Sequence, residues 1–546
     1  MAIPRHILLL LAVLVVFIAF DGLGDRKLAH PDEGRYSEIS REMAASGDWV
    51  TPRLNDLKYF EKPPMQYWAT AISFKVLGES EFSARLWTAL CCLFCILIVT
   101  ATGWRLFSAE IGALAALALI GSPYFMILGE IVTLDMGLTF FTTLTVCSFM
   151  LSQRAGASRT ESRNFLLLAW AGMAGAVLSK GLIGIVFPAA VLFLYCLTQR
   201  DWRLLPRLQW GWGLALFVAI VAPWFAAVSM QNPEFARFFF IHEHFERFLT
   251  TVHRREQPWW YFIPILFLGV LPWAFMLIAA ACRGWRSEGG LAGFRPLRFT
   301  LIWVLFVLVF FSLSGSKLPA YLLPAFPPLA LIIGKFLHET PAPKLAWFIA
   351  PGTLAGLIGA YAAWTAPEEA TDALMRRLYD DFSLWLIAAS VIFVASTCFA
   401  FILFRKKQRA FGVVAIAVGA LLVIEVVEQG YEMLSPLQSG YATAQKMLPY
   451  IKPDTRIYAV EMYDQTLPFY LKRPITLVHY TDEFSLGIES EPAKAITKIE
   501  DFDAEWMRQT GALAIMKRDN YEKLVQRGLP MEIIHEDPRR LVAKKP

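Results

Sequence analysis

Apolar and polar positions along this chain fall in long blocks, not in the short periods of a water-soluble fold. Between residues 6 and 430, apolar runs of about 18 to 25 residues recur with short polar breaks. A helix of that length crosses a hydrocarbon layer of roughly 30 Å. The blocks predict about thirteen spans: 6–23, 84–102, 108–129, 134–152, 164–179, 181–198, 209–228, 260–282, 297–314, 318–337, 345–365, 383–404 and 411–430. No small-residue cleavage site follows the first run, Ile7 to Phe20, and many spans come after it. It therefore reads as an uncleaved first helix. After Tyr431 the blocks give way to short strand-like runs at 456–461, 475–480, 512–517 and 531–535, with helical pattern at 439–449 and 492–509. That alternation predicts a small soluble α/β domain over 431–546. Residues 1–430 form the membrane domain, including the loops 24–83 and 229–259.

Composition agrees with this division. Hydrophobic residues make up 56% of the chain and charged residues 18%. The mean hydropathy is +0.47. A soluble protein carries about 25% charged residues. The net charge of +5 is spread over helix ends and forms no basic domain. Nucleic acid is therefore excluded as an expected partner. All seven cysteines lie inside apolar runs, so no disulfide framework is implied.

Charge is also sorted between the two sides. One set of loops holds Arg5, Arg105, Arg154, Arg159, Arg163, Arg200, Arg203, Arg207, Arg283, Arg286, Arg295, Arg298, Lys335, Lys344 and the 405–409 cluster. The short loops of the other set hold only Lys180 and Lys317. The positive-inside rule then makes the N-terminus cytoplasmic. The 24–83 loop, the 229–259 loop and the C-terminal domain face outward.

The first outward loop is too long for a connector. Its stretch from Ala29 to Pro64 holds Asp32, Glu33, Arg35, Glu61 and Lys62 between two apolar spans. Residues 33–46 predict an amphipathic helix in the membrane interface, with Tyr36, Ile39 and Met43 on one side and Glu38, Arg41 and Glu42 on the other. Glu33 and Glu243 read as solvated faces. Phenylalanines interleaved with charges in the 229–259 loop predict a second interfacial segment, which brings His242, His244 and Arg247 to the same side. Asp135, Lys180 and Lys317 stand at the outward ends of helices. Ionisable groups at membrane depth face a cavity or one another.

This joint pattern of acids, bases and a Pro63-Pro64 pair predicts chemistry on the outward side. The chain has no P-loop and no dinucleotide fingerprint, and no nucleotide pool exists outside the membrane. A donor activated through a lipid-linked phosphate fits instead. Lys62 and Arg247 suit the leaving phosphate. Asp32 and Asp135 suit orienting an acceptor, taking its proton or holding an amine. A transporter would place its charges at the midplane on broken helices, which these residues do not do.

Five motifs now occur in order: HPDEGRY after the first span, FEKPP before the second, LDMGLTFF, SKG, and SGSKLPAYLLPAFPPLAL. Over residues 1 to about 430 the chain resembles the lipid-modifying glycosyltransferases of the protein O-mannosyltransferase superfamily, and among them the aminoarabinose transferases. No motif of the C-terminal domain carries the resemblance. The resemblance implies a polytopic α-helical GT-C fold with a periplasmic α/β domain, in a bacterial inner membrane. It implies transfer of 4-amino-4-deoxy-L-arabinose from undecaprenyl phosphate to a lipid A phosphate, by a protein expected to act as a monomer among membrane lipids. Asp32 takes the position of the catalytic acidic residue and Asp135 the second acidic position. Lys62, Arg247 and Tyr59 suit the carrier phosphate. Arg35, Lys180, Tyr321 and Glu483 are candidates for sugar or acceptor contacts. Glu61 and His242 are candidates to hold a divalent metal such as zinc, although two ligands make an incomplete site. The same fold would also serve galactosamine or mannose as the sugar, and lipid A or protein as the acceptor. An aminoarabinose product would mask negative charge and weaken attraction of polymyxin and other cationic peptides.

Overall fold

A computed structural model describes residues 20–241, 257–288, 293–370 and 373–546, together with Val13, Val16 and Phe17. The chain divides into two compact units. One comprises residues 1–23 and 85–430, and the other comprises 24–84 and 431–546.

The first unit is helical. Eight described helices are long and apolar enough to cross a membrane: Glu81–Leu106, Leu134–Ser152, Trp210–Gln231, Pro296–Leu313, Pro319–Glu339, Ala342–Glu369, Ala373–Arg405 and Arg409–Gln438. The pair Phe262–Gly269 and Trp273–Ser287 bends by 109° and makes a ninth if it is one broken span. Every expected span after the first therefore holds helix, in some cases interrupted or short. Ala109–Ile120 has only 12 residues, about 18 Å of rise, too short to cross alone. Ile183–Gln199 is also short. Arg159–Lys180 is long, but Arg159, Glu161 and Arg163 fill its first turns. Most of the first predicted span lies outside the described residues. The continuous core of this unit runs through Cys95, Met136, Phe187, Trp273, Trp303, Phe326 and Ile416.

Small residues set the helix spacing where the unit carries charge. Leu134–Ser152 packs against Arg159–Lys180. A Cβ at Gly172 would lie 2.7 Å from Thr145 Oγ1, and one at Gly175 would lie 2.3 Å from the Phe141 ring. Only glycine allows the two backbones this approach.

The second unit is α/β. Strands β1 (Arg53–Leu54) and β2 (Leu57–Lys58) form a hairpin. A five-stranded sheet follows from β3 (Ile457–Val460), β4 (Thr476–Val478), β5 (Leu513–Met516), β6 (Glu532–Glu536) and β7 (Leu541–Lys544), in the order β4-β3-β5-β7-β6. β4, β3 and β5 are parallel, with Tyr458 opposite both Thr476 and Ala514. β7 returns antiparallel, pairing Val542 with Ile515. β3 and β5 are buried at every position, as continuous apolar runs at the centre of a parallel sheet should be. Tyr458, Phe502 and Trp506 fill one side of the sheet, and Trp506 Nε1 donates to Pro530 O at 3.0 Å. The four strands expected from the sequence are β3 to β6. β7 and the helix Arg518–Gln526 are additions.

Residues 24–84 are knitted into this same unit. The side chain of Asn55 imitates a strand: its Nδ2 donates to Ile475 O at 2.6 Å and its Oδ1 accepts from Ile475 N at 2.7 Å. Leu28 N donates to the Tyr470 hydroxyl at 2.7 Å. The sequence reading grouped the 24–83 loop with the membrane domain, whereas its contacts group it with the C-terminal residues.

The predicted helix of the first loop is present as Asp32–Ser46. Pro31 precedes it, Asp32 and Glu33 favour its positive N-terminal end, and Gly47 closes it at φ +75°. Its burial corrects the expectation of an interfacial helix with one wet face. Tyr36, Ile39 and Met43 are buried, but so are Glu33, Glu38 and Arg41. Glu38 meets Arg41 through two bonds of 2.7 Å, and Glu33 accepts from Ala29 N at 2.9 Å instead of facing solvent.

Candidate active site

In the α/β unit, the start of the Asp32–Ser46 helix carries the densest charge. Asp32 and Arg35 stand one turn apart, and Arg35 Nη1 donates to Asp32 Oδ1 at 2.8 Å. The Nε edge of Arg35 faces Glu483 Oε2 at 2.5 Å. Gln465 Nε2 donates to the other Glu483 oxygen at 2.7 Å. Arg35 and Glu483 are largely buried, while 38% of the Asp32 side chain is exposed. The guanidinium is thus fixed from behind and presents a partly open carboxylate.

Gly34 permits this placement. A Cβ there would lie 2.6 Å from the carbonyl carbon of Gln465 and 2.6 Å from Thr466 Cγ2. The first helical turn therefore rests directly on the loop after β3.

Electrostatics follow from burial. Burial raises the Glu483 carboxyl, and Arg35 opposes that rise. Burial alone would lower the Arg35 guanidinium, but Tyr59, Glu483, Tyr36 and Asp32 together push it up. Tyr59 is raised by burial and then by Glu61. Its phenol stays protonated at neutral pH, and its buried hydroxyl has no hydrogen-bond partner among the described residues. It is a donor waiting for an acceptor. Glu61 and Lys62 continue the same segment, with Lys62 Nζ donating to Glu61 O at 2.7 Å.

In the helical unit, Asp135 opens the Leu134–Ser152 helix and Lys180 closes Arg159–Lys180. Each charge suits its helix end. The glycine-mediated packing of these helices brings Lys180 Nζ onto Asp135 Oδ1 as an ion pair. The ammonium also lies 4.4 Å from the centre of the Tyr321 ring, a cation–π contact. Asp135, Lys180 and Tyr321 therefore form one cluster, drawn from three separate motifs.

The expected residues thus fall into two groups: Asp32, Arg35, Tyr59, Glu61, Lys62 and Glu483 in one unit, and Asp135, Lys180 and Tyr321 in the other. Arg247 and His242 lie outside the described residues. Among the described residues, no three His, Cys, Asp or Glu side chains gather as a metal site would require. Gln465 and Gly34 were missed by sequence reasoning. Gln465 carries no local signal, and Gly34 is legible only as a glycine inside a helix, which is unfavourable without a packing reason.

Comparison with known proteins bears on both units. A family model described as dolichyl-phosphate-mannose-protein mannosyltransferase matches residues 6–239. A second, described as the aminoarabinose transferase C-terminal domain, matches residues 443–545, where the sequence offered no recognisable motif. The chain is 34% identical over 337 residues to undecaprenyl phosphate-alpha-4-amino-4-deoxy-L-arabinose arabinosyl transferase of Edwardsiella ictaluri, covering 60% of this chain and 59% of that one. It is 37% identical over 325 residues to a Pseudomonas fluorescens protein of the same name with the suffix 2, covering 58% and 57%. The chain thus spans under three-fifths of the length of these curated relatives in each match. The crystal structure of ArnT from Cupriavidus metallidurans bound to undecaprenyl phosphate superposes with a TM-score of 0.93 at 34% identity, over 99% of this chain and 98% of that one.

Proposed function

The chain belongs to the ArnT family of aminoarabinose transferases, and from that premise we propose that it moves 4-amino-4-deoxy-L-arabinose from undecaprenyl phosphate to a lipid A phosphate. The observation that carries this reading is the likeness over 99% of the chain to a relative crystallised with undecaprenyl phosphate. The protein works as a monomer in the inner membrane, with its N-terminus cytoplasmic and its α/β unit periplasmic. Its product protects the cell against polymyxin.

In the reaction, an acceptor phosphate oxygen attacks the anomeric carbon. The bond from that carbon to the carrier phosphate oxygen breaks, and undecaprenyl phosphate leaves with the bonding electrons. The acceptor phosphate is already ionised at neutral pH, so no base needs to remove a proton. Asp32 acts as a positioning and electrostatic residue whose negative charge stabilises the positive sugar of the transition state. Arg35, anchored by Glu483, fixes the Asp32 carboxylate. Lys62 and Arg247 take the carrier phosphate, with the Tyr59 hydroxyl as an added donor. Asp135, Lys180 and Tyr321 contact the sugar or the acceptor.

A divalent ion at Glu61 and His242 is a subsidiary part of the proposal. Such an ion would add positive charge near the phosphates, and no step above passes through it. Metal analysis of the purified protein, with and without Glu61→Ala, tests it.

The mannosyltransferase match over residues 6–239 favours a second reading, in which the same machinery transfers mannose or galactosamine to lipid A or protein. Mass spectrometry of lipid A decides between them, using a host that makes the aminoarabinose donor but lacks its own transferase. A mass gain of one aminoarabinose supports the first reading. A hexose or hexosamine gain replaces the sugar. Unmodified lipid A beside folded protein refutes lipid A as the acceptor.

A further inference from the structure

Residues 314–318 link the Pro296–Leu313 helix to the start of the Pro319–Glu339 helix in the helical unit. The link folds back on itself. Ser314 Oγ donates to Ser316 O at 3.0 Å and accepts from Ser316 N at 3.3 Å. Lys317 Nζ donates to Ser314 O at 2.6 Å. That bond occupies one of the three N–H groups of the ammonium.

The remainder of Lys317 is unanswered. The residue is 8% exposed, and no carboxylate pairs with it among the described residues. A lysine that only snorkels ends with its ammonium in water, whereas this ammonium turns inward to a carbonyl. Its neighbour Ser316 is also 8% exposed, and its hydroxyl has no partner among the described residues. Two adjacent side chains therefore hold buried, unused donors, and one of them is charged. A buried charge without a counter-charge is strongly unfavourable, and at membrane depth it marks a functional position. The same loop continues to Tyr321, whose ring faces Lys180.

The missing partner must be an anion with several acceptor oxygens, reachable from the membrane. We propose that Lys317 and Ser316 form an anion subsite for the phosphate of a lipid substrate, additional to the one assigned to Lys62 and Arg247. The inference rests on the reading above, in which a sugar passes between two lipid phosphates. Both phosphates are negative and must approach the same carbon, so each needs its own cation against their mutual repulsion. Lys317 supplies the second.

Binding by the full chain purified in detergent tests this, by native mass spectrometry with undecaprenyl phosphate and, separately, hexa-acylated lipid A. Lys317→Ala is expected to weaken one of the two about 10- to 100-fold, as for loss of a charged hydrogen bond. Lys317→Arg should retain most of the affinity and Ser316→Ala should lose less than Lys317→Ala. Selective loss of lipid A assigns the subsite to the acceptor, and selective loss of undecaprenyl phosphate assigns it to the carrier. Wild-type affinity for both lipids in Lys317→Ala overturns the proposal, as does a wild type that binds neither. If Lys317→Ala does not fold, wild-type affinity for both lipids in Ser316→Ala overturns it. Transfer by the wild type is scored separately. Its absence refutes the proposed function, whereas the subsite is judged on the difference between wild type and variants.

Discussion

Arg35 Nε stands 2.5 Å from Glu483 Oε2, joining the first polar loop of the chain to its C-terminal region within one compact unit. Through Arg35 this contact reaches Asp32, so the orientation of the principal carboxylate depends on a residue more than four hundred positions away.

Asp32→Asn keeps the size of the side chain and removes its charge. Transfer should fall by about 10²–10³-fold or more, in the range seen when one electrostatic contributor is deleted. Protein level in membranes should stay unchanged. Product formation measured in those membranes checks both, and near-normal transfer would take Asp32 out of the reaction.

Asp135→Ala leaves the largely buried Lys180 ammonium without its carboxylate. Breaking one side of a buried pair destabilises by about 3–5 kcal/mol. Removing both partners, Asp135→Ala with Lys180→Ala, should restore most of the lost thermal stability, because no lone charge remains. If the pair also contacts substrate, the double variant stays inactive although folded. Recovery of activity along with stability would make the pair purely structural.

His30 gives the α/β unit an acid sensitivity. Burial holds its pKa below the ordinary 6.5, with Arg539, Arg540 and Arg35 acting the same way and Asp464 opposing. Folded His30 refuses a proton that the unfolded chain accepts. Its stabilising contribution is full above pH 6.5 and declines as pH falls toward the lowered folded value. The thermal midpoint should therefore drop between pH 7 and pH 5, and His30→Gln should flatten that drop. An identical slope in the variant would assign the sensitivity elsewhere.

Gly34→Ala adds a methyl where the Gln465 backbone lies 2.6 Å away. Overpacking of this kind costs about 1–3 kcal/mol. Because the backbone must shift to admit it, Asp32 and Arg35 move too. Both the unfolding midpoint and the rate of transfer should fall. A variant with normal values of both would show that the helix start is free to adjust.

The sequence disclosed the helical segments because each apolar run fills a lipid-crossing length, as in Leu134–Ser152 and Arg409–Gln438. Run length does not reveal where a segment is interrupted, as where one helix stops at Ile120 or another bends near Leu271. Asp32 and Arg35 were legible as charges in a loop that had no need of them. Their hydrogen bond follows from a one-turn helical spacing. The burial of Glu33, Glu38 and Arg41 was not legible, because periodicity records one face of a helix and the second covering layer arrives from distant residues such as Gln465 and Thr466. β7 was hidden for a similar reason. Its four residues read as a strand only beside β5.

The α/β unit is assembled from residues 24–84 and 431–546, on either side of residues 85–430 of the helical unit. This interleaving sets a schedule for biogenesis. The segment with Asp32 and Arg35 leaves the ribosome early, yet its strand partner at Ile475 and its counter-ion at Glu483 are made only after hundreds of further residues. Until then Arg35 lacks its anchor and Asn55 its backbone partner, so the site stays unformed while the helices are being inserted. A chain ending between residues 438 and 483 would have its described membrane helices but no competent centre, and the last stretch of synthesis would complete the site.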